Sequence, residues 1–484
     1  MIWVKRVAFI LFLILALIAG TLGFVWRKHS DALKAYALDA VRETITTEVS
    51  FNENVVLSFW KDFPLVAVEI SDIQIQDSFK QNTLLKVEKA FVQFNLIKII
   101  QNEFTIEGIR ITDGSLTLRR NERDQWNFLV WKKVESTEGN QKIDFSIEIL
   151  TLQNIHLDYD DQMIDLNIQF LSEKSKIKGR FTDENTRLGL SLNGYMEQLS
   201  TNGIERVVEL PMSLAGVLNI NSKAKIYTIE MGNAVLAGNE MVLDAEWSTI
   251  ENGTNMELKI HAGNMQPFAL LPHIWPQIPD NIRKLDLQGN ADLVISLSGP
   301  FTKEHGPQLD ASIKLRDGSL IFQKTDVSDL NFEGKLFMKD IKSSKAMEIN
   351  FDSFNLKTPK GQVSGKATLT DLADPRLRLS TVGTSRLEEI LEVAAIDSLI
   401  TGNGAISWNI DFEGPLGKEF HTTINELSQM RWSGSIELNE TDLQFNTNVP
   451  RIENLSAKIE MALDRTSIRE CVGQVGHLLF DGDM

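Results

Sequence analysis

Ile406-Ser407-Trp408-Asn409-Ile410-Asp411-Phe412 alternates a large apolar side chain with a polar one at every step. Successive side chains of an extended chain point to opposite faces, so this stretch has one greasy face and one wet face, as a half-buried strand requires. The same form recurs along the chain. Val66, Val68 and Ile70 alternate with Ala67 and Glu69, and Ile143, Phe145, Ile147 and Ile149 with Asp144, Ser146 and Glu148. Leu166, Ile168 and Phe170, then Leu188, Leu190 and Leu192, then Leu293, Ile295 and Leu297, and finally Ile436 and Leu438 repeat it. Asp113-Gly114 and Asp317-Gly318 punctuate the pattern and suit the positive φ of hairpin turns. The chain therefore reads as mainly β, an elongated and repetitive antiparallel meander with a few short helices.

Helical periodicity is confined to an early stretch from Asp31 to about Val49 and to two interludes, Pro267 to Pro276 and Ser385 to Ile400. The interludes sit at matching places in a duplicated pattern. An offset of about 123 residues brings Ile313 onto Ile436, Leu320 and Phe322 onto Leu443 and Phe445, Gly238 onto Gly361, and Gly334-Lys335-Leu336 onto Ala457-Lys458-Ile459. A second marker, Gly289 followed by Gly299-Pro300, recurs as Gly404 followed by Gly414-Pro415 at an offset of about 115. A longer loop between Pro415 and Ile436 reconciles the two spacings. Two related units are expected, at 236–355 and 361–480. The last residues, Phe480 to Met484, fall where the next strand of the repeat would begin, which reads as truncation of a longer protein.

The 484 residues carry a net charge of −17 and are 43% hydrophobic, with Cys471 as the single cysteine. That is apolar material for one very large domain or several ordinary ones, with no intrachain disulfide and no cysteine zinc cluster. The acidic balance argues against a nucleic-acid partner, since phosphate binding needs clustered Lys and Arg. Val7 to Trp26 contains no charged residue and at about 1.5 Å per residue spans roughly 30 Å of hydrocarbon. Lys5 and Arg6 precede it, Arg27 and Lys28 follow, and Trp3 and Trp26 sit where an interfacial belt places them. Residues 1–28 are therefore expected to be a cytoplasmic tip and a transmembrane anchor, with the acidic bulk on the far side. A cleaved signal peptide, with small residues from Ala16 to Gly20, is the competing reading.

No catalytic, cofactor or metal site is nominated. The seven histidines, at 29, 156, 261, 273, 305, 421 and 477, have no paired helical spacing and no nearby cysteines. Asp158, Asp160 and Asp161 read as an exposed strand end more readily than as a calcium site. No phosphate loop, nucleophile elbow or triad is present, so the expectation is no enzyme and no cofactor. Arg119, Arg120 and Arg123, followed by Trp126 and Trp131, form a small basic patch that reads either as a solvated hairpin tip or as a contact for anionic headgroups. The number of one-faced strands, against so few helices to cover them, points to a groove or a closed sandwich.

Three stretches carry a resemblance: Phe63-Pro64-Leu65-Val66-Ala67-Val68-Glu69-Ile70-Ser71-Asp72-Ile73, Leu84-Leu85-Lys86-Val87-Glu88-Lys89-Ala90, and Ile109-Arg110-Ile111-Thr112-Asp113-Gly114-Ser115-Leu116-Thr117-Leu118. With an N-terminal anchor before them and Gln125-Trp126-Asn127-Phe128 after them, they resemble the opening of AsmA-family proteins, which are related to TamB. Arg316-Asp317-Gly318-Ser319-Leu320 and Gly361-Gln362-Val363-Ser364-Gly365-Lys366-Ala367 resemble repeats of the AsmA C-terminal region. The resemblance implies an AsmA-like β domain at 29–235 and repeated β units at 236–484. It also implies a single-pass inner-membrane protein, N-terminus cytoplasmic and bulk periplasmic, that moves phospholipid between inner and outer membranes through a hydrophobic β groove and so supports outer-membrane biogenesis. The partners implied are phospholipids or other acyl-chain lipids, the inner membrane and outer-membrane assembly proteins. Strand alternation makes Ile295, Leu297, Ile406, Trp408, Ile410 and Phe412 the candidate groove residues. The alternative is a periplasmic assembly factor that binds outer-membrane β-proteins by edge-strand pairing.

Overall fold

A computed structural model describes residues 20, 23, 27–58, 65–101, 103–130, 148–180, 185–274, 276, 287–322, 325–343, 347–371, 374–394, 399–415, 430–445, 450–462 and 465–483. The expected anchor, Val7 to Trp26, lies almost wholly outside them; among the described residues no helix is long and apolar enough to cross a membrane. The described residues form 22 strands and fall into two compact units, residues 1–236 with 246–254, and residues 237–245 with 255–484.

The first unit opens with helix α1 (residues 27–44), then β1 (Val49–Ser58), β2 (Leu65–Gln76), β3 (Thr83–Asn95), the short α2 (Leu96–Ile100) and β4 (Ile106–Arg120). Leu33, Ala37 and Ala40 recur at helical spacing on one side of α1 and pack on Val66, Val68, Ile70 and Phe94, all nearly inaccessible. This is a closed core; truncating Leu33 to Ala is worth about 2–5 kcal/mol. The helix ends at residue 44, short of Val49, which opens β1 instead. Thr46 explains the stop, since its N–H and its hydroxyl both donate to the Val130 carbonyl, at 2.7 and 2.8 Å, drawing the chain out of the helix. Residues 143–147 of the second alternating stretch lie outside the described residues, and Ile149 begins β5 (Ile149–Asp161).

β5 pairs with β4 in parallel, a departure from the expected all-antiparallel meander. A parallel neighbour needs a long crossover, and residues 121–148 supply one. From β5 the meander resumes antiparallel through β6 (Leu166–Arg180), β7 (Asn185–Thr201), β8 (Ile204–Asn221) and β9 (Ile226–Leu236).

β10 (Asn239–Ile250) and β11 (Gly253–Met265) lead to α3 (Pro267–Ile274). In the second unit β12 (Gln288–Thr302), β13 (Gln308–Phe322), β14 (Thr325–Met338), β15 (Met347–Thr358), β16 (Gly361–Thr370) and β17 (Arg376–Arg386) pair in sequence, antiparallel throughout. After α4 (Leu387–Ala394) the series continues with β18 (Leu399–Pro415), β19 (Arg431–Phe445), β20 (Ile452–Ala462), β21 (Arg465–Val475) and β22 (Leu478–Gly482).

Asp113-Gly114 and Asp317-Gly318 are not hairpin turns. Both lie inside strands, β4 and β13, with the aspartates at φ 59° and 50°; the register of β13 shifts at Asp317, as at a β-bulge, whereas β4 runs through Asp113 in unbroken register with β3 and β5. A turn and a bulge ask for the same left-handed residue, and sequence alone does not separate them. Left-handed residues stand on neighbouring strands too, Asn154 on β5 and Asp329 on β14, the latter at a shift in register with β15. Their polar side chains link up: the Asn154 amide donates to Asp113 at 3.0 Å, and Asn331 accepts the Asp317 N–H at 3.0 Å.

Pairing in the second unit repeats at the spacings read from the sequence. Leu293 opposes Ile313 as Trp408 opposes Ile436, and Leu297 opposes Leu309 as Phe412 opposes Trp432. Gly289 lies against Gly318, and Gly404 against Thr441; a Cβ at either glycine would come 2.8 or 2.5 Å from the opposing Cα. One alignment needs correction. Ile313 pairs with Gly334 while Ile436 pairs with Ile459, so Gly334 corresponds to Ile459 and not Ala457. The connection into β20 is two residues longer than that into β14, a change that leaves every side chain on its original face.

Candidate functional site

Cross-strand partners share a face, so the pairing traces which side chains line up across the sheet of the second unit. One row runs Leu293, Ile313, Gly334, Phe351, Ala367, Leu379, Phe412 and Trp432. The next runs Ile295, Ala311, Leu336, Ile349, Leu369 and Leu377. All six candidate residues, Ile295, Leu297, Ile406, Trp408, Ile410 and Phe412, therefore lie on one face of β12–β19. Each is half-buried, unlike the closed core under α1. Phe412 stacks on Trp432 with centroids 5.2 Å apart. The Trp408 indole lies over Gly383, where a Cβ would sit 2.2 Å from the ring. Ile410 stands between Thr381 and Gly434, two positions with little side chain to crowd it.

The opposite face is charged and cross-linked. Lys314 pairs with Glu333, Lys335 with Asp352 at 2.6 Å, Lys357 with Asp329 at 2.7 Å, and Arg378 with Glu413 at 3.1 Å. The hydrogen bond that Lys335 donates to Asp352 raises the Lys335 pKa, and the Arg378 guanidinium holds the Glu413 carboxyl below its ordinary value. These pairs are solvated and individually worth little, but they fix which face meets water.

Of the described elements, α4 lies over part of the apolar face, against β14, β17 and β18. Beneath it is a cavity of ≈ 330 Å³ reached by Leu320, Phe322, Leu356, Val363, Ile390 and Trp408. Alternation puts Trp408 on the apolar face and carries no sign that α4 covers it. The Leu387 and Ile390 spacing was the available signal.

The arginine patch divides: Arg123 is exposed in the turn between Arg120 and Trp126, as a solvated hairpin tip requires, while Arg120 turns inward. Arg120 is buried, 3.3 Å from the equally buried Asp161 and 2.6 Å from Asp124, with its guanidinium 5.4 Å from the Trp126 ring centre. Asp161 also accepts the Tyr159 hydroxyl at 3.0 Å, and burial, with the charge of Asp161 beside it, raises the Tyr159 pKa. Asp161 is thus an internal counter-ion and not an exposed strand end, because the parallel register sets it directly beside Arg120. Asn127, fully buried, accepts the Arg119 N–H and donates to the Thr117 carbonyl, fastening the chain that returns along β4. Trp131 lies outside the described residues.

Among the described residues no group of three or more His, Cys, Asp or Glu side chains is placed to hold a metal ion. Cys471 is buried, which raises its thiol pKa. The chain matches no protein-family model, no curated protein and no solved structure.

Proposed function

We propose that this protein is a noncatalytic lipid handler of the cell envelope, anchored in the inner membrane by residues 1–28, with its β units periplasmic and its second-unit apolar face in contact with the acyl chains of phospholipid on the way to the outer membrane. The observation that carries this reading is the pair of apolar rows across β12–β19, half-buried at most positions and backed by an ion-paired face. Apolar area of that extent on an open sheet face is what a hydrocarbon ligand needs, and monomeric proteins seldom leave it without a use. The resemblance to AsmA-family proteins in the sequence from Phe63 to Leu118 supports the same compartment and cargo.

The test is mass spectrometry of lipid copurified with the full chain after gentle extraction, comparing wild type, Ile410→Asp and Asn409→Asp. Asn409 lies one residue away on the wet face. A charge in the path of an acyl chain costs about 1–2 kcal/mol by analogy with lipid-facing barrel positions. Phospholipid should accompany wild type and Asn409→Asp and fall severalfold in Ile410→Asp, with circular dichroism unchanged. Absence of lipid from wild type, or outright unfolding of Ile410→Asp, would mark the face as a closed core and end the proposal.

A further inference from the structure

Helix α4 is fastened to the sheet by polar and apolar contacts of its first turns. Glu389, 4% exposed, accepts hydrogen bonds from the Thr358 hydroxyl at 2.6 Å, the Ser385 hydroxyl and the Lys360 N–H at 3.3 Å. Its neighbour Glu388 reaches Lys360 and Arg386, both at 3.4 Å. Leu387 and Leu391 sit on Gly402, where a Cβ would come 2.7 and 3.0 Å from their methyl groups. Under Ile390, between the helix and the sheet, the cavity of ≈ 330 Å³ is left unfilled by the chain's own side chains.

Its walls are carbon. The polar atoms at its rim turn to one another: the Thr358 and Ser385 hydroxyls to Glu389, and the Trp408 indole N–H to the Thr381 hydroxyl at 3.4 Å. Water needs about two to four polar partners to settle in such a space, and apolar cavities without them take apolar ligands. The volume lies at the small end of ligand sites and, at about 30 Å³ for a water-sized group, equals that of roughly ten such groups. That suits one hydrocarbon chain and not two. Phe322, 39% exposed, stands where the lining meets solvent. The carboxylate of Glu389, which lines the cavity and is held by two hydroxyls and a backbone N–H, opposes a negatively charged head, whereas that of Glu388 is offset by Lys360 and Arg386. The helix at the matching place in the preceding repeat, α3, is adjoined by a neutral link instead: the Gln266 N–H donates to the Asn239 side chain at 2.7 Å.

We propose that α4 roofs a binding site for a single hydrocarbon chain bearing an uncharged head, a site that rests on the lipid-handling reading and selects within it by chain number and head charge. The test exchanges the full chain, purified in dodecyl maltoside, into the same detergent brominated on its alkyl chain, since bromine quenches indole emission on contact. Subtracting the Trp408→Phe spectrum isolates Trp408. Its emission should fall at least twofold, saturably, and should recover in Val363→Phe and Leu356→Phe, two independent replacements that fill the cavity, each checked for folding by circular dichroism. A brominated fatty acid, negatively charged, should need at least fivefold more probe for the same effect. Unquenched Trp408, or quenching undiminished in both filled variants, overturns the site; equal binding of the anionic probe overturns its charge selection. Should wild type copurify no phospholipid while Trp408 is still quenched and protected by filling, the transport reading falls and the site stands.

Discussion

Replacing Asp161 by Leu would leave the buried Arg120 guanidinium with one counter-ion, Asp124, which is itself 41% exposed. Removing one member of a buried ion pair costs about 3–5 kcal/mol, because the remaining charge stays desolvated without its partner. Asp124 persists at 2.6 Å, so the lower end applies, about 3 kcal/mol. The Tyr159 hydroxyl and the Met163 N–H lose their acceptor in the same substitution, which keeps the cost from falling further. Replacing both partners, Arg120→Met with Asp161→Leu, removes the stranded charge, and buried pairs exchanged for apolar groups of similar volume are often neutral or better. Trp126, 5.4 Å from the guanidinium and 6.1 Å from Tyr159, reports on this corner of the first unit. Urea titration followed by Trp126 emission, isolated by difference from Trp126→Phe, should show the single variant unfolding about 1.5 M earlier at a slope of about 2 kcal/mol per molar. The double variant should recover most of that shift. A single variant within 0.5 M of wild type, or a double variant as weak as the single, would refute the assignment of Asp161 as internal counter-ion.

Two further outcomes are expected. Gly114→Ala places a Cβ 2.1 Å from the Lys86 carbonyl oxygen, a backbone atom that cannot step aside, and should cost at least about 2 kcal/mol, whereas Gly482→Ala meets nothing within 4 Å and should change urea stability by less than about 0.5 kcal/mol; equal effects would contradict the close approach of β4 to β3 at this glycine. Asp340 accepts the Gly306 and Lys342 N–H groups at 2.8 Å each, and although partial burial works against its charge, these bonds hold its carboxyl below the ordinary value. A depressed folded-state pKa gives stability that is complete above the ordinary carboxylate range and is lost as pH falls through the folded value. Hydrogen exchange at the Gly306 amide should therefore lose protection on acidification below about pH 4, less so in Asp340→Asn; protection unchanged to pH 2 in wild type would exclude the linkage.

Most strands were legible because alternation is a direct projection of a sheet with one wet face. The faces of Ile295 and Leu297, and of Ile406 to Phe412, follow from parity alone, and pairing through five intervening strands brings them onto one side. What alternation cannot carry is partnership. The parallel β4–β5 register, and with it the burial of Arg120 against Asp161, depends on a crossover that leaves no local mark. Asp-Gly pairs advertise a left-handed residue without saying whether the chain reverses there or continues through a bulge. The two-residue shift of β20 was invisible for a related reason: Lys335 and Lys458 match by sequence, and a slip of two preserves every face. The cavity under α4 required knowing that Leu356, Val363 and Trp408, on three different strands, meet beneath one helix.

Strands of this length, alternating throughout, are nearly degenerate: sliding one past its neighbour by two residues keeps every apolar group on the correct side. The bulges remove that degeneracy. Were β13 to slide by one pleat, Leu315 or Ser319 would have to occupy the left-handed position that Asp317 holds at φ 50°, at about 1–2 kcal/mol for a residue with a Cβ and no local hydrogen bond to offset it. Asp329 on β14 would lose its own match in the same movement, so neighbouring bulges act as paired notches. Lengthening is then tolerated between notches, at the turns, as the two added residues ahead of β20 illustrate, while the strand segments flanking each notch keep their count.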